Sequence, residues 1–385
     1  MKLSTGLRDV QGAASLCIKC AGCTYAEWPE TYTLCPIYSR DECFTFSGGG
    51  MMYLIKALAD NKIEFSQSIA ELMATCTGCA ACDNRCGIIR SQAPFVNPLD
   101  IIRLARHEGV KRGFIPRGRA GRIAEEVQKT GDFGHKSHLK LSDKIKSGKA
   151  DTVLFAECFH TKAGSQMADS AASLLEKIGH QVNLFSEKGC CGSSLYDFGF
   201  WEQLEPLVKA QWQEMKVLKG KTFVFLNPHC QEFIQKRYPE IIRDYSRIRG
   251  QHFSQLLARA FKDGQLKSRK TNTVSVSYHD PCYLGRGLGI YDAPRAVLSA
   301  LKGVNLIEME RNRQNSFCCG GRALGNYLPG MAEWTARERI KEFQATGASL
   351  LITACPYCLE NFRKALPAEE KERVKDLFEL VDERT

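Results

Sequence analysis

The feature that most constrains this chain is a repeat written in cysteine. VLFAEC ends at Cys158 and VSVSYHDPC at Cys282, KGCCG carries Cys190 and Cys191 while FCCGG carries Cys318 and Cys319, and FVFLNPHC ends at Cys230 where LLITACPYC ends at Cys358. The offsets are 124, 128 and 128 residues. Two homologous units of about 125 residues therefore stand in tandem. Within the first, TVLFAE (152–157), QVNLF and KTFVFL are short apolar strands, each leading to a cysteine. Ala168, Ala171, Ala172, Leu175 and Ile178 recur at helical spacing, with Gly179 as a C-cap. Strands alternating with helices imply a parallel sheet with right-handed crossovers. Ligands of such sheets gather beyond the strand C-termini, so the repeat cysteines are expected at one edge of each sheet.

The first nine cysteines lie between Cys17 and Cys86, and none follows until Cys158. This N-terminal part reads as helical. Met51, Leu54, Ile55 and Leu58 share one helix face after Gly48-Gly49-Gly50, and Asn97-Pro98 starts LDIIRLARHEG, which is expected to stop at Gly109. The gap between the cysteine groups is a Gly-, Lys- and Arg-rich connector, with 11 Lys/Arg against 4 Asp/Glu over residues 111–149. The fold class is thus α+β and multidomain. The expected divisions are a helical module (1–110), a basic connector (111–150), and two α/β units (151–268 and 269–385).

Eighteen cysteines in 385 residues mean disulfides or metal. Disulfide frameworks belong to small secreted domains. The opening MKLSTGLRDVQG has no hydrophobic core of a secretory leader, and no run of apolar residues is long enough to span a membrane. Adjacent and CxxC-spaced cysteines favour metal. Cys17, Cys20 and Cys23 form CxxCxxC with Cys35-Pro36 downstream, and Cys76, Cys79 and Cys82 form another with Cys86 three residues further on. Zinc sites use CxxC pairs about 12–20 residues apart, which triplets fit badly. Three such thiolates wrap three corners of a [4Fe-4S] cubane, and in two-cluster ferredoxins the fourth comes from the other motif. By that rule Cys86 completes the centre of Cys17, Cys20 and Cys23, and Cys35 completes that of Cys76, Cys79 and Cys82. Cys43 is left over and reads as an ordinary buried cysteine.

The second repeat reads Cys282, 35 residues, Cys318-Cys319-Gly320, 34 residues, Cys355-Pro-Tyr-Cys358. This pattern resembles the CCG domain of heterodisulfide reductase catalytic subunits and their relatives. A helical two-cluster ferredoxin module followed by two CCG units is most similar to the D-type architecture, over nearly the whole chain. The resemblance implies that Cys282, Cys318, Cys319, Cys355 and Cys358 hold a reactive non-cubane [4Fe-4S] cluster, which attacks a disulfide or passes electrons. The first repeat departs from the pattern. It keeps Cys158, Cys190, Cys191 and Cys230, but Asn227 stands where the first cysteine of CxxC belongs. A neutral amide is a weak ligand for soft iron. Four thiols leave zinc, a simpler cluster or an empty scaffold open there.

Three further signals are weaker. Gly285, Gly287 and Gly289 lack nucleotide-binding spacing and are expected to let backbone approach the cluster at Cys282. His160, His229 and His279 lie beside cysteines, either as structural histidines or as donors to cluster sulfur. The formal charge of +10 raises a zinc-binding nucleic-acid protein as a rival, but a basic face with interleaved aromatics is missing. The expected function is an iron–sulfur oxidoreductase subunit of heterodisulfide-reductase type. The alternative is an electron-transfer subunit of a flavin dehydrogenase or benzoyl-CoA-reductase-type complex, without a disulfide substrate of its own. With no flavin motif and no haem CxxCH, the chain needs a partner carrying a flavin or haem b, together with other iron–sulfur proteins. The expected location is the anaerobic cytoplasm, or the inner face of the membrane through that partner.

Overall fold

The computed structural model describes residues 6–18, 20–25, 32–86, 97–115, 125, 129, 149–155, 162–185, 190–218, 220–269, 272–321 and 328–385. Among these, two four-stranded sheets account for all named strands. The first has the order β2-β1-β3-β4, with β1 Thr152–Phe155, β2 Asn183–Leu184, β3 Thr222–Phe225 and β4 Arg249–His252. The second has the order β6-β5-β7-β8, with β5 Val274–Tyr278, β6 Val304–Leu306, β7 Leu350–Thr353 and β8 Val374–Asp376. Every pairing is parallel. The central strands are buried, as a sheet covered by helices on both faces requires. The repeat legible in the cysteines is thus a repeat of topology. The fourth strand of each sheet escapes sequence reading, because RGQH and VKD carry no apolar alternation.

The two units share one core. Leu154, Val224 and Leu257 of the first pack with Val276, Ile352 and Phe378 of the second. Helix Lys162–Lys177 runs against helix Leu377–Glu383, where Ser173 Oγ donates to Asp382 Oδ1 at 2.6 Å.

The N-terminal part is helical, with one isolated bridge, Tyr25–Thr33, outside the sheets. Helix Gly48–Ala59 starts inside the glycine run rather than after it, because Ser47 caps it through Gly50 N–H at 3.1 Å. Gly50 is required there: a Cβ would lie 2.1 Å from the carbonyl oxygen of Phe44. Helix Pro98–Lys111 continues past Gly109. That glycine ends nothing; its missing Cβ makes room for the Phe65 ring, 2.9 Å from where it would stand. The Asn97 side chain makes no capping hydrogen bond. Most of the basic connector lies outside the described residues.

Helix Pro98–Lys111 is the keystone between the parts. Its Arg103, 3% exposed, donates to Asp197 at 2.8 Å, to Asp100 at 3.1 Å and to the Tyr283 hydroxyl at 3.0 Å. Arg237 donates to the same Asp100 at 2.6 Å. Arg106 reaches the carbonyls of Met73, Cys76 and Asp197. One buried network therefore joins the helical module to both repeats, with each charge paired as burial demands.

Candidate metal centres and the seam between them

The two CxxCxxC loops share a backbone signature. Ala21 after Cys20 and Ala80 after Cys79 both have φ of 57°, in the left-handed region that costs a non-glycine residue about 1–2 kcal/mol. Each is followed at once by a short helical turn, Gly22–Thr24 and Ala81–Arg85. The same strained turn at the same place curls three thiols inward in each motif. Cys35 caps helix Pro36–Asp41 from extended backbone.

The fold sets each distant cysteine beside the triplet of the other motif. Cys35 interacts with Cys79 and Cys76, across about 40 residues of sequence, and lines one cavity with Cys76, Cys79 and Cys82. Cys23 interacts with Cys17 and Cys86. The two groups meet at Gly48, where a Cβ would stand 2.9 Å from Cβ of Cys82 and 3.7 Å from Sγ of Cys23. Cys20 is exposed. Burial pushes the Cys23 thiol up to about 11, and raises Cys35, Cys76 and Cys82 as well. Buried thiols crowded together resist ionising, and a soft metal cation is what reverses that. Cys43 departs from its expected burial: it is exposed, before the turn Phe44–Phe46.

In the second repeat all five cysteines converge beyond the strand ends. Cys282 opens a π-helical turn, Tyr283–Gly287. Cys318 and Cys319 follow β6, and Gly320 (φ 74°) closes the pair against helix Pro329–Ala345, a Cβ there lying 2.6 Å from the Ala332 carbonyl oxygen. Cys355 caps helix Pro356–Ala365, which carries Cys358 in its first turn. Cys318 is hydrogen-bonded to Cys282, Cys319 and Cys79, Cys319 to Cys358 and His279, and Cys358 to Cys355. The backbone N–H groups of Gly320 and Gly321 point at Sγ of Cys318 and Cys319, each at 3.4 Å. Cys79 and Cys319 are held well below the usual thiol range, first by the Cys318 thiol beside each. The donor set fits an iron–sulfur group: soft sulfurs, amide N–H groups facing them, and the positive end of a helix at Cys355.

His279 is the histidine that reaches sulfur. The metal-ligating atoms of His279, Cys319 and Cys358 lie within 4.8 Å of one another, and Arg339 donates to His279 Nδ1 at 3.3 Å. His229 instead packs its ring against Tyr283 and Tyr357. His160 and Cys158 lie outside the described residues.

The first repeat keeps the turn but not the ligand. Gly192 N–H points at Cys190 Sγ at 3.3 Å, as in the twin, and Cys191 donates to Ser193 Oγ at 3.4 Å. Cys190, Cys191 and Cys230 are buried in the apolar core. Asn227 serves the backbone instead. Its Oδ1 accepts the His229 N–H at 3.0 Å and caps helix Pro228–Lys236, where Cys355 caps with no side chain.

Sequence reasoning missed the seam. Cys79 of the helical module touches Cys318 of the second repeat. Arg286, four residues after Cys282, donates to the Cys79 carbonyl at 2.7 Å. The glycines around Arg286 do not approach sulfur as expected. Gly285 accommodates the Tyr291 ring, Gly287 faces Glu232, and Gly289 has φ of 72°. Beside the seam opens a cavity of about 420 Å³, lined by Cys79, Cys282, Tyr283, Arg286, Lys236 and Asp83 among others.

Comparison with known proteins agrees with this geometry. The sequence profile of the cysteine-rich domain family, CCG, matches residues 152–235 and 276–363. The D-type subunit of the dihydromethanophenazine:CoB--CoM heterodisulfide reductase of Methanosarcina mazei is 28% identical, over 95% of this chain and 93% of that protein. The B-type subunit of the fumarate reductase (CoM/CoB) of Methanothermobacter marburgensis is 25% identical, over 95% of this chain and 71% of its own length. The EtfAB:quinone oxidoreductase of Syntrophomonas wolfei is 26% identical over 81% of this chain but only 46% of that protein.

Proposed function

Because the chain belongs to the CCG-domain family of iron–sulfur oxidoreductase subunits, among the D-type subunits of heterodisulfide reductases, we propose that it carries electrons from two ferredoxin-type [4Fe-4S] centres to a reactive centre in its second repeat. In this reading residues 1–110 are the ferredoxin module and 111–150 the connector, with 151–268 and 269–385 the degenerate and intact CCG domains. Cys17, Cys20, Cys23 and Cys86 hold one cubane, and Cys35, Cys76, Cys79 and Cys82 the other. Cys282, Cys318, Cys319, Cys355 and Cys358 hold a non-cubane cluster. Cys158, Cys190, Cys191 and Cys230 are left to zinc, a simpler cluster or neither.

The observation that carries the reading is the contact of Cys79 with Cys318. It joins two cysteine sets into one sulfur path from exposed Cys20 to Cys282. A second observation favours disulfide chemistry over a mere relay: Cys282 lines a cavity of about 420 Å³, of the size that takes a small molecule. When bound, such a cluster stores single electrons and offers an iron to which a substrate sulfur can bind. The conversion is RS–SR′ + 2 e⁻ + 2 H⁺ → RSH + R′SH. Tyr283 walls the cavity, its hydroxyl accepting from Arg103 at 3.0 Å and donating to Asp197 at 3.2 Å. The electrons come from a partner bearing flavin or haem b. Among the described residues no helix is long and apolar enough to cross a membrane, so a membrane donor would be reached through that partner.

Anaerobic purification tests the reading. The chain should be brown with a broad visible band that bleaches on reduction, and Cys319→Ser should abolish disulfide turnover while sparing the ferredoxin signals. A colourless, zinc-loaded chain would overturn it.

A further inference from the structure

Arg286 stands where the two sulfur sets meet. Its Nε donates to the Cys79 carbonyl at 2.7 Å, and its Nη1 to the carbonyls of Gln314 and Ser316 at 3.0 and 2.8 Å. These acceptors belong to the CxxCxxC loop of the helical module and to the segment that leads into Cys318. Arg286 itself sits in the π-helical turn that Cys282 opens. One planar fork therefore ties together the backbone around three sulfurs, Cys79, Cys282 and Cys318, and each of those sulfurs interacts with its charge. All three of these acceptors are neutral carbonyls. Among the described residues no carboxylate forms an ion pair with Arg286, so its positive charge is offered to sulfur rather than spent on an acidic side chain.

We propose that Arg286 is a positioning residue that holds the helical module's second centre against the centre of the second repeat and favours the reduced state at that junction. The proposal rests on the reading of Cys79 and Cys318 as ligands of adjacent clusters. The physics is direct. An iron–sulfur centre becomes more negative when it takes an electron, and a fixed cation in a water-poor seam stabilises that added charge far more than it would in water. The fork geometry adds a second effect. A lysine supplies the charge but cannot donate to three carbonyls in one plane.

The test uses the full chain, purified anaerobically with its clusters, as wild type, Arg286→Gln and Arg286→Lys. Iron analysis checks loading, and a redox titration followed by electron paramagnetic resonance reads the midpoint of the second-repeat centre and its magnetic interaction with the neighbouring cubane. In Arg286→Gln the ratio of reduced to oxidised centre at a given potential should fall at least tenfold, a downward shift of about 59 mV for a one-electron couple. In Arg286→Lys most of that shift should be recovered, while the magnetic interaction stays weakened in both variants. Should Arg286→Gln lose iron, Arg286→Lys at full loading decides through the magnetic interaction alone. A midpoint and a magnetic interaction both unchanged at full loading overturn the role of Arg286. Cys79→Ser distinguishes the premise: iron content unaffected by that change overturns the ligand reading and this proposal with it.

Discussion

His229 and Tyr357 stand at the same place in the two repeats, each the residue before the last cysteine of its motif, and their rings meet with centroids 4.7 Å apart. His229 also packs against Tyr283, at 4.0 Å, and it lines the same small cavity as Cys282, Cys318, Cys319 and Cys358. The motif that lacks a cysteine thus supplies part of the wall of its intact twin.

Replacing His229 tests that wall. His229→Ala removes two ring contacts, each worth about 0.5–1.5 kcal/mol, and should lower the urea midpoint while making iron easier to strip from the second repeat. His229→Phe keeps the stack and should restore both. Equal iron retention in the two variants would show the wall to be unimportant to the centre.

Asn227→Cys restores the five-cysteine pattern in the first repeat. It also removes the side-chain cap on helix Pro228–Lys236. We expect the metal-free chain to lose about 1 kcal/mol, and the reconstituted chain to gain about four irons, from about 12 to about 16. Iron analysis that shows no gain would mean that more than the missing ligand disables this site.

The network at Arg103 predicts a large effect. Asp197→Ala leaves the buried guanidinium without its 2.8 Å partner and should cost about 3–5 kcal/mol. A double replacement, Arg103→Met with Asp197→Leu, should recover most of it, because no charge is then left unpaired. Denaturant midpoints of the three proteins settle the point.

Opposite pH slopes are built into the two repeats. His252 caps helix Phe253–Lys262 after β4, and burial lowers its imidazole from 6.5 to about 3. The unfolded chain takes up a proton there that the folded chain refuses. The stability from this group is present above pH 6.5 and is lost as the pH falls from there through about 3. Asp376 caps helix Leu377–Glu383 after β8, and burial raises its carboxyl from 3.8 to about 8. Its contribution is full below pH 3.8 and is lost as the pH rises through about 8. His252→Asn should therefore flatten the acid side of the urea-midpoint profile, by roughly 2 kcal/mol between pH 6.5 and 5. Asp376→Asn should flatten the alkaline side. A profile unchanged in either variant would contradict the assignment for that residue.

Much of this protein is written in local spacing. The offsets between Cys158 and Cys282, and between Cys230 and Cys358, announce two like units. The apolar runs ending at Phe155, Phe225 and Thr353 become strands, because a short β-branched or aromatic run bounded by turns has few other ways to bury itself. That Cys35 and Cys86 would each lie near the other motif's triplet was legible too, since three thiols two residues apart cannot complete four corners by themselves. Where reading by spacing went astray, packing had the deciding vote. Gly109 looks like a helix stop but is a slot for Phe65, and Cys43 looks apolar but lies at the surface. What only the tertiary structure decided is the seam. Arg286 and the Cys79 carbonyl are 207 residues apart in the chain, and nothing in either loop names the other. Their meeting depends on how helix Pro98–Lys111 docks on both repeats through Arg103, Asp197 and Tyr283. Short-range backbone geometry sets which thiols can share a centre, whereas the order of the centres in space is a property of the buried surfaces that pack the domains together.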